Sequence, residues 1–271
     1  MLLNYVVWDV NPVMFSFPEW VPLLGGRPVM WYGLMWALCF FFGYLIMQKV
    51  YKLEKMPEKS LDILATYTII ASILGARLGH VFFYEPQYYL AHPGDILKIW
   101  QGGLASHGGA IGILIGLFIY SRVQKKPYIW ILDRIVIAVA LAGALIRFGN
   151  LMNSEIYGHA TDMPWGFIFV RDGQSIPRHP TQIYEAIFCL VAFAWLWHMY
   201  FKQNLGQKQP GLMFGIFLIL IFGSRILIEF LKEVQVSFEE SMTLDMGQWL
   251  SIPFVLTGIV IVILSFKNRK N

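Results

Sequence analysis

The chain has 271 residues, 57% of them hydrophobic and only 14% charged, and its mean hydropathy is +0.56. Soluble domains carry about 25% charged residues, so the composition excludes a soluble globular enzyme and indicates one polytopic membrane domain with modest loops. The net charge of +4 is too small to argue for nucleic acid, and cytoplasmic loop bias in a membrane protein accounts for it.

Residues 1–26 contain no Lys or Arg and lead into no long apolar core, so no cleavable signal peptide is expected. Residues 1–28 read as an extracytoplasmic segment lying on the membrane surface. Trp8, Phe15, Phe17 and Trp20 are its interfacial anchors. Seven apolar segments follow, near 29–48, 61–84, 103–121, 131–150, 181–201, 211–231 and 247–266, each about long enough to span a bilayer. The expected fold is therefore an all-α bundle of about seven transmembrane helices, a single membrane domain over residues 1–271. Residues 151–180, rich in Gly and Pro, form a small extracytoplasmic cap between the fourth and fifth spans. Turns and a hairpin around Arg171-Asp172-Gly173 are expected there. Cys39 and Cys189 lie in separate apolar runs and read as small buried hydrophobes.

Twelve Lys and Arg fall in the loops on one side: Lys49 to Lys59, Arg122 to Lys126, Lys202 and Lys208, and the run after Phe266. Five fall on the other: Arg27, Lys98, Arg171, Arg178 and Lys232. The positive-inside rule then places the N-terminus outside and the C-terminus in the cytoplasm.

With this orientation the polar residues of the spans gather at one depth. Tyr32 opens the first span, Arg77 and His80 lie near the outer end of the second, and His107 is one turn into the third. Arg147 and Asn150 close the fourth, Gln182 and Glu185 open the fifth, and Arg225 and Glu229 lie in the outer part of the sixth. Structural polar residues would scatter in depth, and intramembrane charges default to function. One outward-facing site is expected. Asp133 is the exception, roughly 21 Å along the helix from Arg147. With Arg134 it reads as structural, its carboxylate suiting the N-terminus of its own helix. Gly108, Gly112 and Gly116 form a small-residue face for close helix packing. Arg225 and Glu229, four residues apart, also read as a self-neutralised pair.

After the fourth span comes Arg147-Phe148-Gly149-Asn150-Leu151-Met152-Asn153-Ser154-Glu155-Ile156-Tyr157-Gly158. Arg147, Asn150, Ser154 and Gly158 fall at steps of three and four, which puts them on one face of a continued helix. This run resembles the signature of the prolipoprotein diacylglyceryl transferases, with Ile146 and Leu151 where the family has Gly and Phe. His107-Gly108-Gly109, the run His179-Pro180-Thr181-Gln182 leading to Tyr184-Glu185, the spacing of Arg225 and Glu229, and Met246 to Pro253 resemble further family motifs. The likeness covers about Trp31 to Pro253.

The resemblance implies transfer of a diacylglyceryl group from phosphatidylglycerol to the lipobox cysteine of prelipoprotein signal peptides, within the lipid bilayer of the bacterial cytoplasmic (inner) membrane. No metal or cofactor is implied. Arg147 and Arg225, with Arg77 a lesser third, are expected to hold the phosphate, because arginine stays charged and offers a planar fork. His107 is the expected base for the thiol. Glu155 and Glu229 would orient the arginines or bind glycerol hydroxyls. Tyr32, Asn150, Asn153, Gly158 and Gln182 would complete the substrate contacts. His179 reads either as part of that site or as a loop residue capping the fifth helix. An anionic-solute transporter would share the intramembrane arginines, but it calls for inverted repeats and a mid-depth site. Neither is visible.

Overall fold

The computed structural model describes residues 5–233 and 243–267. All seven apolar segments are helical: α1 (Trp31–Leu53), α2 (Glu58–Phe83), α4 (Ser106–Val123), α5 (Tyr128–Met152), α6 (Thr181–Phe201), α8 (Leu212–Glu229) and α9 (Met246–Lys267). Two short helices, α3 (Pro86–Ala91) and α7 (Leu205–Lys208), lie in the connections. Large apolar side chains such as Ile115, Ile187, Leu190 and Leu256 face outward from the spans, as a lipid-facing surface requires. Backbone groups are satisfied within the helices, the condition for crossing hydrocarbon. The chain is a multi-pass membrane protein. Several helices outrun their apolar cores. α1 continues through Lys49 and Lys52 to Leu53, where long basic stems cover apolar surface and their heads reach water.

The chain forms two compact units, residues 44–132 and the remainder. In the 44–132 unit, α2 and α4 cross with their backbones nearly touching. A Cβ on Gly79 would lie 2.7 Å from the Gly108 Cα, and one on Gly116 would lie 2.7 Å from the Ala71 Cβ. The expected small-residue face is thus the helix crossing. At the opposite end of this unit, Tyr51 and Tyr120 hydroxyls lie 2.5 Å apart. Ser60 Oγ sits 2.8 Å from Tyr120 and donates to Gln124 Oε1 at 2.7 Å. This closed cluster satisfies groups that would otherwise be stranded in an apolar interior.

In the other unit, α6, α8 and α9 pack together, and Gly215 and Gly258 allow α8 and α9 a close approach. Asp133, fully buried on α5, accepts hydrogen bonds from Gly211 N at 2.6 Å and Phe214 N at 2.9 Å. Its carboxylate therefore caps α8, not its own helix as expected. Tyr128 starts α5 well before Asp133, so the orphan amides that need an acceptor are those of α8. Arg134 is buried with its guanidinium 5.9 Å from the Tyr200 ring.

The N-terminal segment is more ordered than a surface strand of anchors. β1 (Val6–Trp8) pairs in parallel with β4 (Phe167–Phe169), and β2 (Val13–Ser16) pairs antiparallel with β3 (Pro28–Met30). Trp8 turns inward. Its indole N–H donates to Leu151 O at 2.9 Å, satisfying a carbonyl at the end of α5. Trp20 is 80% exposed and does project as an anchor would. The turn around Arg171-Asp172-Gly173 is closed by a single antiparallel bridge between Phe167 and Arg178, less than the expected hairpin.

Candidate active site

The helix carrying the long polar signature does not continue through it. α5 ends at Met152, and the chain reverses through Ser154 (φ 56°) and Ile156 (φ 61°). Side-chain-bearing residues in this region cost about 1–3 kcal/mol each and persist where their surroundings over-determine them. Here the surroundings are Glu155 N to Asn150 O at 3.1 Å, Gln182 Nε2 to Glu155 O at 2.6 Å, and Thr181 Oγ1 to Ile156 O at 2.8 Å. The single helical face expected for Arg147, Asn150, Ser154 and Gly158 is thus replaced by a strained turn. The turn folds Glu155 back against the helix end.

Its side chain joins a connected polar network. Asn150 Nδ2 donates to Glu155 Oε1 at 2.7 Å, and Asn153 Nδ2 donates to the same oxygen at 3.3 Å. Asn150 Oδ1 accepts from Arg147 Nη1 at 3.1 Å. Arg147 Nε is ion-paired to Glu185 Oε2. Glu185 Oε1 lies 2.6 Å from Lys232 Nζ, which lies 3.1 Å from Glu229 Oε2. That same oxygen is 3.9 Å from Arg225 Nε. The expected Arg225–Glu229 pair is therefore loose, and Glu229 leans on Lys232 instead.

Three cations and three carboxylates alternate along this chain of contacts. Its centre is buried: Lys232 is 4% exposed and the Glu185 side chain 8%. Arg225 is the open end, its side chain 39% exposed. Among the described residues its Nε–H finds no hydrogen-bond partner. Ser154 Oγ and Gln182 Oε1 are likewise buried without one. Buried polar atoms left so are rare and call for an explanation.

Glycines bring the network's backbones together. Gly149 sits against Tyr32, where a Cβ would lie 2.8 Å from Tyr32 Cδ2. Gly247 of α9 lies against the Glu229 carboxylate, 2.5 Å from a Cβ built there. Gly158 is pressed onto the Leu231 carbonyl, and an added Cβ would also meet His179 Cβ at 2.9 Å. Its own N–H donates to His179 O at 2.8 Å, and His159 N donates to Leu231 O at 2.9 Å. Gly158 thus joins the chain leaving α8 to the start of α6, and close packing accounts for its lack of a side chain.

Eight of the expected site residues, Tyr32, Arg147, Asn150, Asn153, Glu155, Gln182, Arg225 and Glu229, meet in this one unit, with Gly158 beside them. Glu185 and Lys232 complete the network. Glu185 was legible as one of the polar residues at the common depth and as the end of the motif that begins at His179, but not as a named site residue. Lys232 was counted as a loop charge, and the cue to it was its three-residue spacing from Glu229.

His107 and Arg77 belong to the 44–132 unit. His107 stands exposed in the first turn of α4, and the two glycines after it are buried against α2. Arg77 is 4% exposed. Its guanidinium donates to the carbonyls of Ile96 (2.8 Å), Gly102 (2.7 Å), Gly103 (3.1 Å) and Asp95 (2.5 Å). It also lies 4.9 Å from the Tyr89 ring. Those donors order the 93–103 loop.

Outside the spans, His179 Nδ1 is 3.1 Å from Tyr184 OH, which accepts from Trp165 Nε1 at 2.8 Å. Burial, and secondarily the nearby His159, pull the His179 pKa down. Tyr157 is hydrogen-bonded to Asp172. Burial, then Asp172, push its hydroxyl up to about 12.

Comparison with known proteins agrees with the motifs. Residues 18–264 match the family model for prolipoprotein diacylglyceryl transferase. The chain is 45% identical over 263 residues to the phosphatidylglycerol–prolipoprotein diacylglyceryl transferase of Tolumonas auensis, covering 97% of this chain and 98% of that one. It is 46% identical over 268 residues to the protein of that name from Chloroherpeton thalassium, with 98% and 97% covered. The one from Porphyromonas gingivalis is 46% identical over 278 residues, with 97% and 96% covered.

Proposed function

The chain belongs to the prolipoprotein diacylglyceryl transferase family, and from that membership we propose that it moves the diacylglyceryl group of phosphatidylglycerol onto the lipobox cysteine of prolipoproteins. The observation that carries the site assignment is the network from Glu155 through Arg147 and Lys232 to Arg225, with its open guanidinium end. An anionic phosphodiester entering a low-dielectric region needs fixed donors, and two arginines on separate helices supply them.

The chemistry is displacement at an sp³ carbon. The cysteine sulfur forms a bond to the glyceryl carbon, the carbon–oxygen bond to phosphate breaks, and its electron pair leaves on glycerol phosphate. Arg147 and Arg225 stabilise the charge that grows on the departing oxygen. A free thiol titrates near 8.5 and needs a base at neutral pH. We assign that base to His107, as the family resemblance implies. Glu155 holds Asn150 beside Arg147, and Glu229, held by Lys232, binds a glycerol hydroxyl of the donor. Tyr32, Asn153 and Gln182 line the donor's glycerol region. Gly158 keeps the chain after α8 in contact with the site, and Arg77 serves by ordering its loop.

The protein works from the bacterial cytoplasmic membrane with the site facing outward. Residues 1–28 and 151–180 lie outside, and the C-terminus is cytoplasmic. The unequal Lys and Arg content of the loops supports this.

Mass spectrometry of a lipobox peptide incubated with purified protein and phosphatidylglycerol tests the reaction. The expected product is a thioether-linked diacylglyceryl peptide together with glycerol phosphate. No mass gain from folded protein would refute it. A cysteine placed at Asp172 should react with an impermeant reagent on intact cells stripped of outer barriers. Labelling only after permeabilisation would reverse the orientation.

A further inference from the structure

Lys232 is the most buried cation of the network, and both of its partners are carboxylates that also serve an arginine. Glu185 offers one oxygen to Arg147 and the other to Lys232. Glu229 sits 3.1 Å from Lys232 but 3.9 Å from Arg225. A carboxylate free of such a clamp closes on an arginine through both oxygens, in the bidentate geometry that carboxylates and phosphates share. Glu185 and Glu229 are therefore built-in competitors for the donors a phosphodiester would use.

We propose that Lys232 is a positioning residue that draws Glu229 off Arg225 and occupies the second oxygen of Glu185, so that neither carboxylate closes on its arginine through both oxygens and each arginine keeps donors for the phosphate of the lipid donor. This rests on the reading of the two arginines as the phosphate grip.

The backbone supports the assignment. Lys232 follows α8 directly, its N–H bonded to Glu229 O at 3.0 Å, and it forms an antiparallel bridge with Gly158. The bridge fixes where its stem enters the network. A lysine kept only for solubility would not be buried to 4% between two acids, where an unpaired charge is costly.

The test separates substrate affinity from turnover. Lys232→Met and Lys232→Gln remove the charge, the second while keeping a donor. Each is assayed in mixed micelles over a range of phosphatidylglycerol mole fractions, with the melting temperature taken on the same preparation. The expected result is a KM for phosphatidylglycerol raised on the order of tenfold, the effect of one charge-assisted hydrogen bond, with kcat changed much less. Lys232→Arg, which keeps the charge, should restore most of the affinity.

A structural role alone would lower the melting temperature and leave KM unchanged. An unchanged KM in either folded charge-free variant overturns the proposal. Arg147→Ala runs alongside. If that folded variant keeps full kcat and KM, the phosphate-grip reading itself fails. If Arg147→Ala loses activity while the Lys232 variants keep their KM, only the role of Lys232 falls.

Discussion

Gly158 and Leu231 touch backbone to backbone, so closely that no side chain fits between them. The contact holds the segment after α8 against the start of α6. Gly158→Ala must push the Leu231 carbonyl or His179 aside, and overpacking of this kind costs about 1–3 kcal/mol. The variant should melt lower and lose activity together, because Lys232 is displaced with its neighbour. Gly43→Ala is the control: its nearest neighbour, Ala138 Cβ, would be at 3.9 Å, an ordinary contact. Equal melting temperatures for the two variants would remove the constraint at position 158.

Lysine at position 147 or 225 keeps the charge but loses the planar fork. Losing one charge-assisted hydrogen bond costs about 1.5–3 kcal/mol, so Arg147→Lys and Arg225→Lys should each slow turnover roughly ten- to a hundredfold. Arg147 should also lose stability, since it is ion-paired internally to Glu185. Arg225, with its unbonded Nε–H, should lose little. Turnover and melting temperature on matched preparations decide the point. Wild-type turnover in both lysine variants would show that net field, not geometry, is what the site uses.

Asp133→Asn keeps the shape of the α8 cap but removes its charge. One of its two oxygens becomes a donor facing backbone N–H groups. The expected loss is about 1.5–3 kcal/mol in stability, with kcat of the surviving folded protein unchanged. A fall in kcat at constant melting temperature would move Asp133 from architecture to chemistry.

His179 gives a pH signature. Its pKa is lowered in the folded protein, so the unfolded chain binds its proton first as pH falls. Stability contributed by the neutral ring is intact above the unfolded value of about 6.5 and declines as pH drops from there toward the folded value. The melting temperature should therefore fall on acidification across that range. His179→Asn should flatten the slope. A slope identical in wild type and variant would assign the acid sensitivity to another group.

The spans were legible because an apolar run of about twenty residues has few other uses; of the polar groups read at one depth, Arg147, Asn150, Glu185, Arg225 and Glu229 share one network, whereas Arg77, His80 and His107 belong to the 44–132 unit. What the sequence concealed were long-range pairings. β1 is a three-residue strand whose partner lies some 160 residues away, and nothing local announces it. The turn at Ser154 and Ile156 lacks glycine at its positive-φ positions, so the helical spacing read straight through it. Lys232 looked like any loop lysine because its burial depends on Gly158 and Glu185, both remote in sequence.

Asp133 also bears on how the protein is made. Gly211, whose N–H donates to its carboxylate, lies 78 residues later in the chain. At about 5–20 residues per second, ribosomes add that glycine roughly 4–16 s after they add Asp133. For that interval the nascent protein carries an unanswered acid on a helix already bound for the bilayer. Insertion of α8 ends the exposure, so completion of the second half of the polypeptide is what makes the fifth helix comfortable in lipid.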